Sequence, residues 1–231
     1  MKTFCHVPIE LEDLKTQTID KKRFYETPDG NLYPSITTVL SVRNKKGLFE
    51  WRKRVGDEVA NYVAVKAANR GTAVHHMCED YLNNDFDEEK HKKKFLAYCL
   101  FKQLAKETLD NVDNIHAQEC GLYSDKYKVA GRVDCIAEYN GKLSVIDFKT
   151  ANKERNDEWN KNYYMQTAAY AVMYEELFGT PIEQIVILMA SEDGAGRVFV
   201  KNKADYLPEL EKAIQHFYKY YQEKTKGTVK S

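Results

Sequence analysis

Asp134, Asp147 and Lys149 are the residues of this chain whose types and spacing point most directly to chemistry. Two β-prone runs, VDCIAEY and LSVIDF, flank Asn140-Gly141, a strong short-range signal for a two-residue hairpin turn. A turn confined to those two residues pairs Tyr139 with Lys142. Counting back along both strands then sets Asp134 opposite Asp147, with Cβ atoms roughly 5 Å apart. Lys149 lies two residues past Asp147 and shares its face, because side chains alternate along a strand. Like charges directly opposite one another destabilise a sheet. Two carboxylates and a lysine converging inside strands otherwise suited to burial are therefore read as a divalent-cation site with an adjacent base. Hard cations such as Mg2+ and Mn2+ prefer oxygen ligands, lower the pKa of a bound water and neutralise charge on a phosphoryl group. The alternative is a cross-strand ion pair, in which Lys149 neutralises the aspartates and leaves one carboxylate over.

The elements that must position these groups follow from periodicity and turn residues. Around the hairpin, IHAQECGLYS, KVAGRVDCIAEY and KLSVIDFKT form a meander of three strands. Glu119 lies in the first, where it either supports the cation from the neighbouring strand or is an exposed strand glutamate. A polar loop over 151–158 leads into a helix over 159–178, with Gly179 and Pro181 as stop signals. Tyr163, Gln166, Tyr170 and Tyr174 share one face of that helix. IEQIVILMA is a near-continuous apolar run, expected as a central strand. RVFVKN forms a further strand, Tyr206 to Gln222 a final helix, and TKGTVKS a frayed tail.

The first half reads differently. Residues 23–33 form a small hairpin turning at Pro28-Asp29-Gly30. Ser35 or Thr37 caps a short helix over ITTVLSV or, less commonly for such hydroxyls, holds a phosphate. Leu48, Trp51, Val55, Val59, Tyr62 and Val63 recur at helical spacing and predict an amphipathic helix over 48–68. Arg70-Gly71-Thr72 interrupts that pattern, and a second helix over 73–82 buries Val74, Cys78, Tyr81 and Leu82. His75 sits on its flank with Glu79 one turn on, where a lone histidine is more often structural than a ligand. A third helix runs from the basic KHKKK segment to about Leu109. The whole reads as one domain over 1–231, mainly helical over 1–110, with an αβββαβ core over 111–225.

Composition sets the bounds. The chain has 231 residues, formal net charge zero and 43% hydrophobic residues, enough for a core. No apolar run reaches the roughly 18 residues that a membrane span needs. The five cysteines are dispersed without a CxxC pair and read as reduced thiols. With no apolar signal core at its start, the chain is expected in the cytoplasm, a host's if it is phage-encoded. Charge is locally uneven. Residues 43–70 hold eight basic residues against three acidic ones, a segment able to meet phosphate or simply to face solvent.

Asp134 followed by Asp147-Phe148-Lys149 resembles the PD-(D/E)XK nuclease pattern, with Gly131-Arg132-Val133-Asp134 as its GxxD. Arg70-Gly71-Thr72-Ala73-Val74-His75 resembles the RGTxxH helix of the RecB-like branch, and Gln166 to Tyr170 its QxxxY helix. Tyr33 to Leu40, YPSITTVL, is similar to a segment of the mitochondrial genome maintenance exonuclease group and its phage relatives. The resemblance spans roughly residues 24 to 190. It implies an α/β fold with a restriction-endonuclease-like core, a mixed β-sheet flanked by helices behind an N-terminal helical region. It also implies Mg2+ or Mn2+ held by His75, Asp134, Asp147 and the Phe148 carbonyl, with Lys149 as base or water-orienting group. Gln166 and Tyr170 would border the site, and Ser35, Thr37 and Arg70 would contact substrate. Relatives with an iron–sulfur cluster carry three cysteines near the C-terminus; here none follows Cys135, so no such cluster is expected. The implied activity is a metal-dependent DNA exonuclease acting on single-stranded ends. The rivals are a structure-specific endonuclease, a non-catalytic nucleic-acid-binding protein and a small-molecule metal hydrolase.

Overall fold

A computed structural model describes residues 2–105, 108–194 and 196–228. Its first elements are strands. Lys15–Ile19 (β1), Lys22–Glu26 (β2) and Leu32–Pro34 (β3) form an antiparallel sheet. The β2–β3 turn falls at the expected Pro28-Asp29-Gly30, with Gly30 at φ 79°. β1 carries no such signal. Its turn residues, Asp20 and Lys21, adopt left-handed φ without glycine, and its whole length is exposed, so neither turn chemistry nor alternation marks it.

Helices follow: Ile36–Ser41 (α1), Lys45–Val55 (α2), Asp57–Leu82 (α3), Glu88–Lys92 (α4) and Phe95–Ala105 (α5). Three expectations are corrected here. The helical break lies at Gly56, in left-handed φ of 85°, and α3 runs unbroken through Arg70-Gly71-Thr72. Gly71 keeps helical conformation, and a Cβ there would meet Thr150 Oγ1 only at 3.8 Å, an ordinary van der Waals distance. The third helix is divided as well. Asp87 caps α4, and Lys94 N–H closes it on the His91 carbonyl before α5 begins. The stripe Leu48, Trp51, Val55, Val59, Tyr62 and Val63 is also not buried: Leu48, Val59 and Tyr62 are exposed and the other three half-buried.

The core is a five-stranded mixed sheet in sequential order: Val112–Ser124 (β4), Val129–Tyr139 (β5), Lys142–Ala151 (β6), Gln184–Ser191 (β7) and Arg197–Asn202 (β8). Only β6 and β7 are parallel, linked across the helix Lys161–Phe178 (α6), which Gly179 closes in left-handed conformation. β7 is central and covered on both faces, which explains its continuous apolar run. Val186, Leu188 and Ala190 pack under α3 and α5, while Ile185, Ile187 and Met189 pack under α6 and the last helix, Leu207–Thr228 (α7). The tail expected to fray from Thr225 is helical through Thr228; residues 229–231 lie outside the described residues. No helix among the described residues is long and apolar enough to cross a membrane.

Candidate active site

The β5–β6 hairpin turns on Asn140 and Gly141 at φ 53° and 73°, the left-handed pair that a two-residue turn requires. Pairing runs from Tyr139 with Lys142 to Cys135 with Ile146, the register inferred from the turn. It stops one step short of the aspartates. There the Phe148 N–H donates to Asp134 Oδ2 at 2.8 Å, while β6 continues beside β7 to Ala151. β5 and β6 thus part at Asp134 and Asp147. On the other side of β5, the pairs Gln118 with Cys135 and Cys120 with Val133 bracket Glu119 opposite Asp134. Glu119 has φ 45°, strained for a non-glycine strand residue. Glu119, Asp134 and Asp147 therefore form a row across three adjacent strands.

Helix α3 brings His75 onto this row. Its Nδ1 lies 3.5 Å from Asp134 Oδ2 and 3.9 Å from Glu119 Oε1, and its ring stands edge-on to Phe148. His75, Glu119 and Asp134 each offer a ligand atom within 4.8 Å of the others. Asp147 and Lys149 face α6 instead. Lys149 Nζ donates to Asp147 Oδ1 at 2.6 Å and sits 5.1 Å from the centre of the Tyr163 ring. Gln166 Nε2 reaches Asp147 Oδ1 at 3.3 Å and the Tyr170 hydroxyl at 3.4 Å. Asp147 Oδ2 is buried without a hydrogen bond, although Lys149 Nζ is 2.5 Å away.

The electrostatics show what such crowding does. Burial pulls the His75 imidazole down, but Asp134 and Glu119 more than offset it and hold it up at about 9. Burial pushes Asp147 up to about 6, with Lys149 opposing and Asp134 adding. Burial acts to lower Lys149, yet Asp147 and Asp134 hold it above its ordinary value, so its ammonium stays charged. An ion pair between Lys149 and Asp147 accounts for those two groups only. It leaves Glu119 and Asp134 against His75. Carboxylate oxygens with one imidazole fit a hard divalent cation such as Mg2+ or Mn2+.

The remaining candidates are placed as follows. Ser35 is buried and accepts from Thr38 N–H at 3.1 Å, so it caps α1; Thr37 is exposed beside it. Arg70 is buried beyond the row, donating to Thr150 Oγ1 at 3.3 Å, to Asn152 and to Glu192. Glu79 pairs with His76 rather than His75. Beside Lys149, a groove of about 400 Å3 is lined by Ala67, Arg70, Asn152, Arg155, Trp159 and Tyr163. Two contributors escaped the sequence reading. Tyr163 was seen only as part of a helix face, yet its ring receives both Lys149 and Arg155. Gly131 seats the buried Tyr170, because a Cβ there would lie 2.7 Å from Tyr170 Cε1. The glycine of GxxD was its available signal, since a missing side chain permits close approach.

Comparisons with known proteins place the chain among nucleases. The chain is 27% identical over 182 residues to Mitochondrial genome maintenance exonuclease 1 of Mus musculus, covering 71% of this chain and 52% of that protein. It is 25% identical over 176 residues to the Homo sapiens protein of the same name, covering 71% and 51%. The chain thus spans about half the length of the curated relatives it matches. The profile described as PD-(D/E)XK nuclease superfamily matches residues 46–230, most of the chain and every group in the carboxylate row. The chain belongs to the PD-(D/E)XK nuclease superfamily.

Proposed function

We propose that this protein is a Mg2+- or Mn2+-dependent DNA exonuclease that hydrolyses phosphodiester bonds from single-stranded ends, leaving 5′-phosphates. The observation that carries this reading is the row of Glu119, Asp134 and Asp147 across the point where β5 and β6 part, with His75 and Lys149 at its two flanks. When bound, the divalent cation supplies Lewis-acid charge and an activated water. His75, Asp134 and Asp147 would hold it, with the Phe148 carbonyl as a further ligand and Glu119 in support. Lys149, kept charged by Asp147, orients the attacking water and stabilises charge developing on the phosphate. Acting as a proton acceptor would first require its release from Asp147. Gln166 steadies Asp147, and Tyr170 backs Gln166. Arg70 lies below the groove, and the exposed Thr37 is available to a phosphate.

The preference for single strands rests on the groove and the arm above it. Trp159 is 65% exposed at the groove, and Phe49 and Tyr62 stand out from α2 and α3 among Arg52, Lys53 and Arg54. Exposed rings beside cationic side chains suit unpaired bases and their phosphates, whereas a duplex hides its base faces. The test is digestion of end-labelled single strands, with free or blocked ends and as closed circles, in Mg2+ or EDTA. Cation-dependent shortening of free-ended strands alone is expected. Cleavage of circles would favour the endonuclease reading, and binding without cleavage the non-catalytic one.

A further inference from the structure

The strained backbone at Glu119 has an identifiable restraint. Arg132, on β5 opposite Gly121, sends its guanidinium along the strand, and Nη1 donates to the Glu119 carbonyl. Its Nη2 is held by both oxygens of Asp13, each at 2.7 Å. Asp13 belongs to an N-terminal segment latched along β4. Val7 N–H bonds the Ile115 carbonyl at 2.8 Å, and Leu14 fills the space at Gly121, where a Cβ would lie 2.9 Å from Leu14 Cγ. Glu119 is absent from the β4–β5 pairing on either side of which the strands are in register. Its carbonyl is instead turned to Arg132, and its carboxylate lies in the cluster with His75 and Asp134.

We propose that Arg132, anchored by Asp13, is a positioning residue for the cation site: it holds the Glu119 backbone in its left-handed conformation and thereby aims the Glu119 carboxylate at the ligand cluster. Arg132 touches neither substrate nor cation. The physical reason is that an isolated left-handed residue within a strand persists only when its surroundings fix it. With Nη2 held by the Asp13 carboxylate, the planar guanidinium keeps Nη1 directed at the Glu119 carbonyl. Because Glu119 would otherwise relax into the ladder opposite Asp134, the arginine trades a lost strand pairing for a carboxylate presented to the cation.

This inference rests on the cation-dependent reading above, and calorimetric titration with Mn2+ separates the two. Glu119→Gln is expected to weaken Mn2+ binding, and Arg132→Met to weaken it about tenfold, the lower end of the usual effect of groups that orient metal ligands. Arg132→Lys, which keeps a donor, and Asp13→Asn, which keeps the shape, should each lose less. The decisive measurement is the double variant Arg132→Met with Glu119→Gln. If Arg132 acts through Glu119, the double variant binds Mn2+ about as weakly as Glu119→Gln alone. Multiplying losses, or an unchanged isotherm in an Arg132→Met protein with wild-type melting temperature, would overturn the positioning role. Absence of Mn2+ binding in the wild-type protein would instead overturn the cation-dependent reading itself. The KM for single-stranded DNA should stay near the wild-type value in Arg132→Met, whereas a merely structural defect would shift it together with kcat.

Discussion

Helix α3 contains two environments on one continuous backbone. From Asp57 to Asn69 almost every side chain is exposed, and only Ala60 is buried. From Arg70 to Leu82 the same helix buries Val74, Met77, Cys78, Tyr81 and Leu82 against α5 and the sheet. The first half touches α2, and their corner is fixed by Arg52, which donates to Asp57 Oδ1 at 2.9 Å and to Asn61 Oδ1 at 2.8 Å. The second half carries His75 to the carboxylates. Both halves are amphipathic by spacing, so periodicity identified each as helix. It did not distinguish a stripe that meets a facing sheet from one that meets solvent. Under the proposed function, the docked half would serve the chemistry and the exposed half would be free to meet substrate.

That division can be broken at several points. The largest effect is expected beside the docked half. Lys149→Ala should reduce cleavage about 10²–10⁴-fold while leaving DNA binding in place; a variant that still cleaves would remove Lys149 from its role. Next comes stability. Met77→Ala, at a fully buried position, should cost about 2–5 kcal/mol in denaturant unfolding, whereas Val59→Ala should stay within about 0.5 kcal/mol. Equal costs would mean that the projecting half is packed after all. Tyr62→Ala should leave the melting temperature unchanged but weaken single-stranded DNA binding by about 1–3 kcal/mol, read by fluorescence anisotropy. Unaltered affinity would detach the arm from the substrate.

A graded effect is a pH dependence with opposite signs for stability and cation binding. His75 is held at about 9, above its ordinary 6.5. In the cation-free protein its contribution to stability is therefore complete below about pH 6.5 and lost as pH rises through about 9. Cation binding needs the neutral imidazole, so Mn2+ affinity should fall by up to tenfold for each unit the pH drops below that value. Melting curves in EDTA and Mn2+ titrations between about pH 6 and 8 would check both slopes. Flat profiles in His75→Ala would assign them to this group.

Much of the site was legible because it is local. Asn140-Gly141 dictates the turn, and the turn dictates the register from Tyr139 with Lys142 to Cys135 with Ile146. Local rules also offered Ser35 or Thr37 as the cap of the short helix, and Ser35 takes that place. What stayed hidden depends on distant partners. Nothing near Gly56 or Gly71 shows that only the first breaks the helix; that difference lies in the left-handed φ that Gly56 alone of the two adopts. Likewise, no spacing rule joins Asp13 to Arg132 or Arg70 to Glu192.

By itself, then, the sequence determined the carboxylate hairpin and its register from Tyr139 with Lys142 to Cys135 with Ile146, because turn type and side-chain alternation are short-range properties. Only the tertiary structure decided that β5 and β6 part at the aspartates, that Asp147 pairs with Lys149 while Asp134 turns to His75 and Glu119, and that half of α3 is left exposed. Those outcomes depend on which surfaces compete for the same partner, and burial and ion pairing settle that competition across the whole fold.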